Sequence, residues 1–322
     1  MGSRYSKNEA KDYAWEHLKG VWAATLTPFH EDDLSLNEEG YRRNFRHWID
    51  DLGIAGFFVG GKQSEFFSMT MEERKRAAEI AVEESAGKAG VMISCSDENL
   101  DRVIELAKHA QDIGADYIVV HTPVFYFGAG TEETIYQYYK YISEQVDIGV
   151  ALWNQPPDCG YTLSPELCMR LAELPNIVAI KYSVPRELYV RLSQMAGRKL
   201  IVSTASEDWW LQNIIELNWQ VYLCSTPPIV LQTKQDQRIN EYTRLAFSGA
   251  FEQARTVKES LETARTAFKN SRPEGKPQAH QKYWLELLGQ AGGPVRRPLL
   301  QLTEAEKAGI REAFWQSGLK MS

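Results

Sequence analysis

The chain has 322 residues, 43% hydrophobic and 25% charged, a balance typical of globular proteins and unlike that of disordered or fibrous chains. A net charge of −7 excludes nucleic acid as the main partner, because phosphate binding needs a basic face, but it leaves room for a small anion at a local cationic site. This length suits one large barrel or a domain with an appendage.

From residue 20 to about residue 228, short apolar segments alternate with longer amphipathic ones, the pattern of repeated βα units and a parallel sheet. Strands are predicted at 21–26, 55–59, 90–94, 117–121, 149–153, 177–181, 200–203 and 221–224, each nearly all apolar, as strands covered on both faces should be. Eight such units favour a closed (β/α)₈ barrel over an open sheet. Helix starts are signalled by Ser35 with Glu38, by Thr70 with Glu73, and by Ser164 followed by Pro165. Beyond residue 228 the strand signal ends and helical periodicity runs through about 238–270, 276–290 and 303–316, the last opened by Thr303 with Glu306. The expected division is therefore a barrel over 1–228 carrying the active site and a helical extension over 229–322.

Cys95, Cys159, Cys168 and Cys224 are widely spaced and form no zinc pattern, so reduced thiols are expected. The sequence has no apolar run of the roughly 18 residues that a membrane span needs. The polar start from Arg4 to Asp12 lacks a signal-peptide core, which makes the cytoplasm the expected location.

Parallel barrels carry their chemistry at the C-terminal ends of the strands. That rule selects Lys62, Gln63, Ser64 and Glu65, then Ser94 to Ser96, His121 and Tyr126, Trp153 and Asn154, Lys181, Ser203 and Thr204, and Ser225. Lys181 stands out because it follows the apolar run Ile177-Val-Ala-Ile. Burial there favours a neutral, nucleophilic amine able to form an iminium with a ketone; the alternative is a strand-end lysine that reaches solvent. Residues 56–64 approach the P-loop pattern, but Gln63 stands where Ser or Thr is required and Phe57-Phe58-Val59 reads as strand. Gly60 and Gly61 instead suggest a tight turn aiming Lys62, Gln63 and Ser64 at a carboxylate, unless Lys62 is a solvated loop residue. His121 reads as a general base or as a satisfied structural histidine. The signatures HExxH, GxSxG and strand-linked GxGxxG are absent from the sequence.

Several segments together resemble the dihydrodipicolinate synthase/N-acetylneuraminate lyase superfamily of class I aldolases. They are Gly20-Val-Trp-Ala-Ala-Thr-Leu-Thr-Pro-Phe29, Gly61-Lys-Gln-Ser-Glu-Phe-Phe-Ser-Met69, Thr122-Pro123, Trp153-Asn-Gln-Pro156, Ile177-Val-Ala-Ile-Lys181 and Val295-Arg-Arg-Pro298. The resemblance implies a (β/α)₈ barrel with a C-terminal helical domain, a homo-oligomer (dimer or tetramer), and a 2-keto acid such as pyruvate bound covalently to Lys181. It implies no metal or organic cofactor, with an aldehyde as the second small-molecule partner. Substrate contacts are expected from Gly61, Lys62, Gln63, Ser64, Trp153, Asn154 and Ser225.

The departures from the family pattern are specific. Trp153 lies 28 residues before Lys181 (181 − 153), where the family carries its proton-relay tyrosine, and indole cannot exchange a proton as a phenol does. Tyr126, Tyr182, Lys62 or a bound water would then move protons, with Tyr126 taken as the catalytic partner of Lys181. Asp158 stands where the synthase has an arginine for its second substrate's carboxylate, and it would repel that anion. Authentic dihydrodipicolinate synthesis is therefore not expected. Phe66, Phe67, Phe125, Tyr126, Phe127, Trp153 and Tyr161 would suit an aryl or apolar acceptor, or equally would pack against a partner subunit. The expected activity is aldolase or hydratase-aldolase cleavage; the alternatives are a dehydratase or hydratase using the same iminium, and a catalytically silent keto-acid-binding barrel.

Overall fold

Apolar β-rich runs become strands because their side chains can be covered on both faces, and the observed strands follow the predicted ones within about two residues. They are β1 (Gly20–Ala24), β2 (Gly56–Val59), β3 (Gly90–Ser94), β4 (Tyr117–His121), β5 (Gly149–Asn154), β6 (Ile177–Tyr182), β7 (Ile201–Ser203) and β8 (Val221–Ser225). Every residue of β4, β5 and β6 is buried. The computed structural model describes residues 4–124 and 131–320, apart from the Cys224 side chain. The strands form one eight-stranded sheet in the order β7-β6-β5-β4-β3-β2-β1-β8. With helices between successive strands, this is the (β/α)₈ barrel expected from the sequence.

Between β7 and β8 a side chain supplies the connection. The Ser203 hydroxyl donates to the Val221 carbonyl at 2.8 Å and accepts the Leu223 N–H at 2.9 Å, joining the two strands.

Contacts divide the chain into two compact units, Met1–Gly20 with Gly90–Cys224, and Val21–Ala89 with Ser225–Ser322. In the first, Tyr117 to His121 of β4 pair with Gly149 to Trp153 of β5, and β6 and β7 continue the parallel ladder. Its N-terminal segment contains a helix, Ala10–His17, entered through the turn Lys7–Glu9, where Ser6 and Glu9 form a capping box. That segment is tied down by the buried carboxylate of Asp116, which pairs with Arg4 at 3.0 Å and accepts from the Tyr13 hydroxyl and the Val91 N–H, each at 2.8 Å. In the second unit, β1 and β2 run parallel, and the C-terminal helices belong to the same compact body.

Three of the four helix starts follow the sequence. Thr70 with Glu73 and Thr303 with Glu306 form reciprocal capping boxes, and Ser164 caps Pro165–Leu171. The fourth is corrected. Ser35 lies in a turn where its N–H is held by Asp33 and its carbonyl accepts from His30; Leu36 then bridges Phe29, so the helix Glu38–Arg46 is capped by Asn37 instead. The periodic stretch 238–270 is three helices, Arg238–Phe247, Phe251–Ser260 and Glu262–Asn270; Gly249, at φ 81°, makes the first break. Among the described residues no helix is long and apolar enough to cross a membrane.

Replacing Ser203 by alanine strips the Leu223 N–H and the Val221 carbonyl of a partner in a buried setting. A loss of roughly 1–3 kcal/mol in urea unfolding is expected; an unchanged midpoint would show that the β7–β8 junction does not need the hydroxyl.

Candidate active site

Register fixes the neighbours at the C-terminal ends of β4 to β7. His121 pairs with Trp153, Trp153 with Lys181, and Lys181 with Ser203, so four adjacent strands contribute to one row. All four side chains are buried, Lys181 at 3% exposure. Its Nζ lies 5.3 Å from the centroid of the Trp153 ring. The His121 ring meets the same indole edge-on, with centroids 4.6 Å apart. Lys181 is thus a buried lysine set against the Trp153 ring near the C-terminal end of β6.

Strand alternation sends the residue after Lys181 to the opposite face. The Tyr182 hydroxyl accordingly donates to the Leu163 carbonyl, and burial raises the pKa of the phenol. That anchored, outward-facing hydroxyl removes Tyr182 from the candidates for proton transfer.

Asn154, expected at the substrate, is committed to the loop after β5. Its Nδ2 donates to the Tyr161 carbonyl at 2.8 Å and to the Thr122 hydroxyl at 3.2 Å, while its Oδ1 accepts the Leu163 N–H at 3.1 Å. The side chain acts by holding that loop. Cys159, in the same loop, hydrogen-bonds the Gln155 and Tyr161 carbonyls, and Asp158 is half-buried within the short helix Pro156–Cys159. Cys95, Cys159 and Cys168 are buried.

In the second unit, β2 ends in a sharp turn. Gly60 has φ 73°, and a Cβ on Gly61 would approach the Phe58 ring to 2.4 Å. Lys62–Ser64 forms a single 3₁₀ turn in which Lys62 and Gln63 are half-buried and Ser64 is buried. Ser64 does not offer its hydroxyl proton outward as expected: it donates to the Thr25 carbonyl at 2.6 Å, leaving Lys62 and Gln63 as the side-chain donors of the turn. Ser225, half-buried, is the last residue of β8. Phe66 packs edge-on to Phe67, which is exposed, and half-buried Tyr161 supplies its carbonyl to Asn154. Phe125, Tyr126 and Phe127 lie outside the described residues.

No spacing pattern marks what secures this turn. Glu65 adopts a left-handed backbone at φ 59°, costly for a residue with a side chain, and its carboxylate meets the Lys282 amine at 2.6 Å with both side chains fully buried. The second carboxylate oxygen accepts the Arg296 N–H at 2.8 Å, and Lys282 also donates to the Pro294 carbonyl at 2.7 Å. Lys282 and Arg296 both lie over the Phe29 ring, 4.2 and 4.0 Å from its centroid. Burial pushes the Lys282 amine down to about 8 against the pull of Glu65, which leaves it mostly charged at neutral pH. Lys282 sits within an amphipathic helical pattern, where no spacing rule singles it out.

A buried lysine at the C-terminal end of a barrel strand defines a class of carbonyl-binding barrels, and sequence comparison places the chain more closely. The profile of the Dihydrodipicolinate synthetase family matches residues 17–316, and the chain belongs to this family. A 4-hydroxy-tetrahydrodipicolinate synthase of Thermotoga petrophila is 28% identical over 311 residues, covering 94% of this chain and 99% of the relative. One from Methanothrix thermoacetophila is 29% identical over 299 residues, covering 92% and 96%. Among solved structures, a dihydrodipicolinate synthase superposes with a TM-score of 0.80 at 26% identity, covering 94% of this chain and all (100%) of the other. CdNal from Clostridium difficile in complex with mannosamine superposes with a TM-score of 0.82 at 25% identity, covering 93% and 99%.

Removing the Lys282 amine should expose the cost of the buried pair. Lys282→Met leaves the Glu65 carboxylate without its counter-charge and should lower unfolding stability by roughly 3–5 kcal/mol, while the double variant Glu65→Gln/Lys282→Met should lose less than the single one. Urea unfolding of the three proteins checks this, and a single variant within about 0.5 kcal/mol of the parent would refute the ion pair's role.

Proposed function

We propose that the chain is a Schiff-base-forming carbon–carbon lyase acting on a 2-keto acid, pyruvate or a substituted pyruvate, through Lys181. The observation that carries this reading is the buried amine at the end of β6, held against the face of Trp153. The amine attacks the keto carbon and the carbonyl oxygen leaves as water, giving an iminium. In a 4-hydroxy-2-keto acid, loss of the hydroxyl proton lets the C3–C4 bonding electrons move into C2–C3, so that an aldehyde departs and an enamine remains on the lysine. Protonation at C3 and hydrolysis then release the keto acid and free the amine.

For the turn after β2, held by the Glu65–Lys282 pair, the reading keeps Lys62 and Gln63 as donors suited to a carboxylate. Asn154 works as a positioning residue. Trp153 offers the departing aldehyde a flat apolar wall, suited to an aryl or other apolar group. An indole in place of the relay phenol, together with Asp158 in place of an arginine, argues against the activity for which the synthase relatives are named. A homo-oligomer, dimer or tetramer, is the assembly this reading expects, and light scattering reads it directly.

Incubation with pyruvate and borohydride should add one reduced pyruvate to Lys181, located by peptide mass spectrometry, and Lys181→Met should stay unmodified. If Lys181 remained unmodified across a panel of 2-keto acids, the Schiff-base reading would have to be given up.

A further inference from the structure

The replacement of the relay tyrosine by Trp153 leaves the proton transfers at C3 of the bound keto acid without their usual agent. We infer that His121 carries them, an inference that rests on the Schiff-base reading above and adds to it a named proton-transfer residue.

Three observations lead to His121. It occupies the register position beside Trp153 on β4, as Lys181 does on β6, so the two groups flank one indole. Their contacts with that ring are direct, the imidazole edge-on with centroids 4.6 Å apart and the amine 5.3 Å from the ring centroid. The proposal lays a keto acid attached to Nζ along the indole with C3 on the side of the imidazole. C3 lies two bonds beyond Nζ, about 2.5 Å away by standard bond lengths.

The ring's orientation and tautomer are also set. Nδ1 lies 2.7 Å from the Thr122 carbonyl. A carbonyl oxygen only accepts, so Nδ1 bears the proton, and in the neutral ring the lone pair is at Nε2, the tautomer of a general base. The carbonyl is itself well placed, because the Thr122 N–H donates to the Trp153 carbonyl at 2.8 Å. The backbone of His121 is held by its N–H donating to the Ser96 hydroxyl at 2.9 Å. Base and orienting acceptor are thus built into consecutive residues at the end of β4, the arrangement in which one imidazole nitrogen is anchored and the other faces the chemistry.

The step balances within the iminium. Nε2 takes a proton from C3, the C–H electrons form the C2=C3 double bond, and the C=N electrons return to the lysine nitrogen, giving a neutral enamine and an imidazolium. The reverse transfer returns the proton to C3 before hydrolysis.

Pyruvate alone tests this, since its C3 protons exchange with solvent through the enamine. In D₂O the parent protein should deuterate pyruvate, followed by proton NMR, and should form the borohydride-trapped adduct at Lys181. His121→Asn keeps an amide donor for the Thr122 carbonyl and removes the base. It should still form the adduct while exchange falls by about 10²-fold or more. His121→Gln, which retains a polar side chain of similar reach, should do the same, and circular dichroism establishes that each variant is folded. A variant that forms the adduct and exchanges within about threefold of the parent overturns the role of His121 while leaving the Schiff base intact. Loss of the adduct in both folded variants overturns it too, because His121 would then act in imine formation or packing. No adduct in the parent protein removes the Schiff-base reading and this inference together.

Discussion

In a parallel ladder the register decides which side chains stand side by side, and the register of β4 to β7 puts His121, Trp153, Lys181 and Ser203 in one buried row. Alternation makes the choice all or none: shifting β6 by one residue would send Lys181 to the outer face and bring Tyr182 inward. The register is strongly specified because every residue of these strands except the polar terminal ones is apolar and buried, so a slip would turn packed side chains out of their layers. The burial of Lys181 is therefore a consequence of packing by its neighbours. Burying a charged amine costs free energy unless it is paired or hydrogen-bonded, so the position of Lys181 is one that the surrounding packing has to hold in place.

The turn after β2 faces a different physical problem, since Lys62 and Gln63 can act as donors only if the turn that carries them is rigid. Gly60 and Gly61 allow the sharp bend, but Glu65 enters a backbone region that disfavours side chains. The strain is tolerated because the Glu65 carboxylate is clamped by Lys282 and by the Arg296 N–H, with both cations stacked on Phe29. Such a pair adds little net stability compared with apolar packing, but breaking it on one side is expensive, so it specifies one conformation strongly. The C-terminal helix Pro277–Leu287, which carries Lys282, thereby helps to shape a loop more than two hundred residues earlier in the chain.

Much of this was legible in the residues. Eight apolar runs, the Thr70, Ser164 and Thr303 caps and the isolated strand-end lysine gave the barrel and its central amine, because strand burial and capping are local patterns. The 28-residue interval matched Trp153 to the position of the family's relay tyrosine, and the ladder pairs Trp153 with Lys181. What escaped depended on partners that no helical or strand periodicity marks. Ser35 carried the right spacing for a cap, but the Phe29–Leu36 bridge moved the helix start to Asn37. Ser64 and Asn154 were of a type suited to bind substrate, yet their hydrogen bonds run to Thr25, Tyr161 and Leu163. Nothing within the C-terminal helical pattern marked Lys282 as the partner of Glu65, since an ion pair between two elements leaves no periodicity in either.

The substitution of indole for phenol also reaches beyond one residue. A phenol at position 153 would supply bulk beside the amine and a proton that can be exchanged; indole keeps the bulk, broadens the aromatic face and loses the exchange. The proposed chemistry through an iminium needs a base, and the register restricts where one can stand. On the β6 side the neighbour is the amine itself, and Tyr182, next along that strand, is turned away and bonded to the Leu163 carbonyl. On the β4 side the neighbour is His121, with Nδ1 held by the Thr122 carbonyl. On the proposed reading, Trp153 supplies the aromatic face and the imidazole beside it the proton transfer, so adjacent strands share functions that one phenol could serve.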